Sequence, residues 1–194
     1  MIIGLTGQTG AGKSTVCGVL KEKSMAIIDC DKVSREVTEK GSPLLKKLAE
    51  AFGKEILFED GSLNRRYLAE LAFSAPQKTQ LLNSITHPEI INAIKDKISC
   101  MPDEYIVLDA PTLFESGADK LCAKIIAVVA DEKMRKNRII NRDSLNENQA
   151  NGRLSAQKAD DFYKSRADGL IYNNGTFGEL KKSINDALKE IGVV

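Results

Sequence analysis

The apolar run Met1-Ile2-Ile3-Gly4-Leu5 leads directly into Gly7-Gln8-Thr9-Gly10-Ala11-Gly12-Lys13-Ser14, a complete G-x-x-x-x-G-K-[ST] loop. Few motifs constrain a chain so tightly, because this one works only between a buried strand and the first turn of a helix. Its glycines let successive backbone N–H groups turn inward around anionic oxygens. The helix that follows adds its positive dipole end and its unpaired N–H groups. In such a loop Lys13 reaches the β- and γ-phosphates of a triphosphate, and the Ser14 hydroxyl ligates Mg²⁺. The chain is therefore expected to bind a nucleoside triphosphate with magnesium.

At 194 residues the chain has room for one nucleotide-binding domain with a helical addition. A formal charge of +1 carries no bias towards nucleic acid or a membrane surface. Cys17, Cys30, Cys100 and Cys122 lie far apart without metal-ligand spacing, which reads as unbridged thiols. No apolar run is long enough to span a bilayer, and the opening residues read as a core strand rather than a signal peptide. The expectation is a cytoplasmic enzyme, with nothing in the pattern that specifies an oligomer.

Short apolar stretches at 2–5, 26–29, 105–110, 125–130 and 169–172 alternate with helical signals, predicting an α/β fold on a parallel sheet. The interval between the second and third stretches is helical in signal. Ser42-Pro43 starts a helix that Gly53 ends, Asn64 caps a helix over 65–73, and Thr86 caps one running from Pro88 towards Cys100. Asn173-Asn174-Gly175 forms a turn, and Thr176 caps the last helix, through Glu190. The division expected is a single domain over 1–194: a core of 1–31, 101–134 and 168–194, a helical acceptor region over 32–100 and a lid at about 135–167.

A phosphate loop alone does not separate switches, motors and kinases. The chain lacks the N-K-x-D base-reading motif of a guanine-type switch. Asp109 ends an apolar strand, but Ala110 and Pro111 follow it where a mechanical ATPase would carry a second acidic residue. Small size, a long helical insert and a basic stretch after the fourth strand fit a small-molecule phosphoryl transferase whose lid excludes water. The second strand ends in Asp29-Cys30-Asp31, with Arg35 one turn later. Asp31 at the carboxyl end of a parallel strand suits acceptance of a proton from an acceptor hydroxyl, with Arg35 as counter-charge; helix capping is the competing role for either aspartate. Arg138 and Arg142 lie four apart on one helical face, where both could address one anion.

Taken together, these blocks resemble the dephospho-coenzyme A kinase family over nearly the whole chain. The resemblance runs through the phosphate loop, Asp29-Cys30-Asp31 with Arg35-Glu36-Val37, Gly61-Ser62-Leu63-Asn64-Arg65 and Thr86-His87-Pro88. It continues through Asp109-Ala110-Pro111-Thr112-Leu113-Phe114-Glu115, Arg138, Arg142-Asp143, Ala150, Arg153, Gln157, Arg166-Ala167-Asp168 and Asn173-Asn174-Gly175. It implies a P-loop three-layer α/β/α fold with a five-stranded parallel sheet, a helical CoA-binding insertion and a lid. It also implies transfer of the ATP γ-phosphoryl group to the ribose 3′-hydroxyl of dephospho-CoA. On the family's pattern Gly10, Ala11, Gly12, Lys13, Ser14 and Thr15 form the triphosphate loop, Asp31 is the general base, Arg142 and Arg138 are lid arginines, and Asn173 and Asn174 stand beside the adenine. Arg35, His87, Pro111, Leu113 and Glu115 line the acceptor cleft, and Asp109 is a weaker candidate for water-mediated magnesium contact.

The chain departs from the pattern at Gln8-Thr9 for Gly-Ile, Cys30 for Ala, Thr112 for Leu and Arg135 for Gln. Two other readings share the phosphate loop: a kinase of the same architecture acting on a nucleoside monophosphate, and a slow nucleotide-sensing protein that uses the lid as a switch.

Overall fold

In a computed structural model describing residues 1–193, the chain forms two compact units. The first comprises Met1–Ile27 and the chain from Asp103 onward, and the second is Ile28–Pro102. The strands are β1 (Ile2–Gly7), β2 (Ala26–Asp29), β3 (Ile106–Asp109), β4 (Lys124–Val129) and β5 (Gly169–Tyr172). They form an all-parallel sheet in the order β2-β3-β1-β4-β5. The register sets Leu5 beside Asp109 and Gly7 beside Val128.

Within the first unit, α1 (Lys13–Glu22) follows β1, and α6 (Glu132–Asp143) follows β4. Two short helices come next, α7 (Glu147–Ser155) and α8 (Asp160–Lys164), then β5 and α9 (Phe177–Glu190). Ile3 and Leu5 of β1, Val128 of β4 and Ile171 of β5 are buried with Val16 and Leu20 of α1 and with Leu180, Ile184 and Leu188 of α9. That continuous apolar core explains why the strands read as uninterrupted hydrophobic runs. Thr176 caps α9 as expected, in a reciprocal capping box with Glu179.

The second unit packs α2 (Cys30–Glu36), α3 (Pro43–Phe52) and α4 (Arg65–Ala72) against the long α5 (Pro76–Ser99). Leu44, Leu48, Ile56 and Leu68 form its core, with Phe52, Leu82 and Ile85 against them. The Ser42 and Asn64 caps are present, accepting from the N–H groups of Leu45 and Tyr67. The expected helix start at Pro88 is not. Helix α5 begins with Pro76 at its first turn and runs straight through Pro88. The Thr86 hydroxyl donates back to the Leu82 carbonyl instead of capping. Packing of α5 on three other helices outweighs the hydrogen bond that an internal proline removes.

Candidate active site

In the first unit the carboxyl ends of β1, β3, β4 and β5 gather the residues of one site, as an open parallel sheet dictates. Gly10 and Gly12 take positive φ, 76° and 97°, and neither has room for a side chain. A Cβ on Gly10 would stand 2.7 Å from the Arg135 carbonyl oxygen, and one on Gly12 would fall on the Asn173 amide. These are the conformations that let the loop's N–H groups face inward.

The side chains of Asn173 and Arg138 hold the loop. The buried Asn173 donates through Nδ2 to the Ala11 carbonyl at 2.8 Å. The Arg138 guanidinium donates to the carbonyls of Gly10 (3.2 Å) and Asn173 (2.8 Å). Asn174 is turned to the start of α6, where it accepts from the Asp131 N–H and donates to its carboxylate. Lys13, on the first turn of α1, places Nζ 3.9 Å from Asp109 at the end of β3. Ser14 and Thr15 beside it are exposed.

Asp109 is the more informative member of that pair. Its other oxygen accepts from the Cys17 thiol at 3.4 Å, while Oδ1 is buried without a hydrogen-bond partner. Burial, and then the Asp109 charge, push the Cys17 thiol up to about 12, so it stays protonated and unreactive near neutral pH. A carboxylate oxygen without a hydrogen-bond donor and an exposed Ser14 hydroxyl are the kind of hard-oxygen donors that Mg²⁺ takes in triphosphate sites.

Arg138 and Arg142 share a face of α6 but not a partner. Arg142 lies at the exposed end of the helix, doubly bonded to Asp143 (2.8 and 2.9 Å), which also pairs with Arg153. Those hydrogen bonds lower the Asp143 carboxyl and raise Arg142. Exposed ion pairs of this kind contribute little stability, so Arg142 is easily exchanged onto a phosphate. Arg142→Ala is expected to lower kcat about a hundredfold with a melting temperature within about 2 °C of wild type. A fall in melting temperature with unchanged kcat would make it structural.

The 111–115 block follows β3. The Pro111 carbonyl accepts from the Thr6 hydroxyl at 3.4 Å, and Glu115 is exposed. Leu113 is wholly buried, its methyls against Gly4, so it shapes any cleft from behind the surface.

In the second unit Asp29 caps α2, accepting from the Lys32 N–H at 2.9 Å. Asp31 is exposed on the first turn of that helix and Arg35 one turn on. Arg65 is held there too, donating to the Thr38 hydroxyl at 2.7 Å and to the Arg35 carbonyl at 3.2 Å. Burial, with the Arg35 charge added, lowers Arg65. The charges of Arg35 and Arg65 oppose each other, and an anion bound beside both would relieve that repulsion. Nothing in the spacing of the Gly61-Ser62-Leu63-Asn64-Arg65 block, which Arg65 closes, points to this pairing. His87 is half-buried within α5, and burial lowers its imidazole, keeping it neutral near pH 7.

A family model for dephospho-CoA kinase matches residues 1–179. The chain belongs to this family. A dephospho-CoA kinase from Fusobacterium nucleatum is 39% identical over 184 residues, covering 95% of each chain. Protein TT1252 from Thermus thermophilus superposes with a TM-score of 0.84 at 29% identity, covering 98% of this chain and 97% of its own. Shikimate kinase from Bacteroides thetaiotaomicron shares the fold alone, with a TM-score of 0.55 at 12% identity over 97% of each chain. This member of the dephospho-CoA kinase family is thus a phosphotransferase that uses a nucleotide, built on the P-loop kinase fold. Among its described residues no helix is long and apolar enough to cross a membrane.

Proposed function

We propose that this chain transfers the γ-phosphoryl group of ATP to the ribose 3′-hydroxyl of dephospho-CoA, releasing coenzyme A and ADP in the cytoplasm. The observation that carries this reading is the preformed phosphate loop, with Lys13 and Ser14 at the start of α1, in a chain matching the family model over residues 1–179.

Phosphoryl transfer asks little covalent chemistry of a protein, so the residues act by positioning and by neutralising charge. Lys13 leaves Asp109 for the β- and γ-phosphates while the N–H groups of residues 10–15 surround them. Arg138 and Asn173 keep the loop in shape, and Asn173 with Asn174 borders the adenine. Ser14, with Asp109 through water, would hold Mg²⁺, which would neutralise phosphate charge when bound. Asp31 takes the proton from the ribose 3′-hydroxyl as its oxygen attacks phosphorus. Arg142, on the lid at about 135–167, stabilises charge on the moving phosphoryl group.

The acceptor is a dianionic diphosphate ester, and Arg35 with Arg65 offers it two guanidinium groups. His87, Pro111, Leu113 and Glu115 belong to the acceptor-binding set as well. Arg65→Ala is expected to raise KM for dephospho-CoA at least tenfold while KM for ATP stays within twofold. Equal rises in both would remove Arg65 from the acceptor site.

Acceptor-dependent ADP formation tests the whole reading. ATP alone should yield little ADP, and dephospho-CoA should raise its formation by orders of magnitude. ADP release at the same rate with and without acceptor would instead mark a nucleotide-sensing protein.

A further inference from the structure

Arg135, in the first turns of α6, is only 4% exposed. Among the described residues its one ion-pair partner is Asp160 at the start of α8, with 3.7 Å between Nη2 and Oδ1. The Nε–H and the Nη1 group are buried with no hydrogen-bond acceptor among the described residues. A buried guanidinium with one distant carboxylate and two orphaned donors is a poor source of stability, and an apolar side chain of similar volume commonly does better. Fold stability therefore does not explain this residue.

Its surroundings do. The Arg135 backbone lies directly against Gly10 of the phosphate loop. Two residues before Asp160, the Lys158 carbonyl accepts from Gln8 Nε2 at 2.8 Å. Beside it Gln157 Oε1 accepts the Thr9 N–H at 2.7 Å. Loop positions 8, 9 and 10 are thus each touched by the stretch 135–160, and the Arg135–Asp160 pair ties the two ends of that stretch together.

We infer that Arg135 is a positioning residue for ATP binding: through Asp160 it holds Gln157 and Lys158 against Thr9 and Gln8, so that the phosphate loop is ordered before triphosphate arrives. Pre-ordering of this kind raises affinity by removing the entropy loss that binding would otherwise incur. The inference rests on the reading of ATP as the bound nucleotide.

Arg135→Met, Arg135→Lys and Asp160→Asn test it through calorimetric ATP titration without acceptor, thermal melting and hydrogen exchange at the Thr9 amide. For Arg135→Met we expect a melting temperature equal to or above wild type, ATP affinity about tenfold weaker and Thr9 exchange about tenfold faster. Arg135→Lys keeps the charge opposite Asp160 and should recover most of both losses. ATP affinity within twofold of wild type, with unchanged Thr9 exchange, would overturn the inference. Should Arg135→Met fail to fold, Asp160→Asn decides by the same two readouts. Wild-type protein that takes up no ATP would sink the nucleotide assignment, and Thr9 exchange alone would then decide whether Arg135 orders the loop.

Discussion

Lys13→Ala is expected to lower kcat/KM for ATP about a thousandfold, the scale of losing a charge-assisted donor to a developing transition state. The lysine sits on the first turn of α1, and its ion pair with Asp109 is long, at 3.9 Å, so its removal costs the fold no hydrogen bond. Cys17 still donates to Asp109, which leaves that carboxylate with a partner. The melting temperature should therefore stay close to wild type while turnover disappears. Initial rates of ADP formation, taken beside a thermal melt, separate the two effects. Activity within threefold of wild type would remove the loop from the chemistry.

Asp31→Asn should have the second largest effect. The amide matches the carboxylate in shape but cannot take up a proton, so kcat is expected to fall by 10² to 10⁴, the usual range for loss of a general base. Calorimetric ATP affinity should not change. Asp29→Asn is the matched control two residues away. Asp29 accepts from the Lys32 N–H as a helix cap, and asparagine caps about as well as aspartate. A variant at Asp29 should keep its activity. If the two substitutions had equal effects, Asp31 would be a structural carboxylate.

Much of this was legible in the chain because it depends on local chemistry. The loop letters, the apolar runs and the Ser42, Asn64 and Thr176 caps each reflect a short-range rule, and each stands in the structure. The helix expected to start at Pro88 failed for the opposite reason. Threonine before proline has the local signature of a start, but packing across α2, α3 and α4 carries α5 through it. Spacing likewise placed Arg138 and Arg142 on one face, yet could not show that one turns to the loop carbonyls and the other to Asp143.

The structure also exposed partners that no pattern encodes. Arg65 beside Arg35 joins residues thirty positions apart. Gln157 reaches back to Thr9, 148 positions earlier in the chain. Arg135 read only as a departure from the family's glutamine, and its burial against Asp160 is a tertiary fact.

The identity of the phosphorylated product tests the central claim most directly. Purified protein is incubated with Mg-ATP and dephospho-CoA, with AMP as a parallel acceptor, and products are followed by mass spectrometry and phosphorus NMR. The account predicts a product one phosphate heavier with dephospho-CoA alone, carrying that phosphate on the ribose 3′-oxygen. Phosphorylation of AMP in place of dephospho-CoA, or phosphate on any other oxygen, would contradict it.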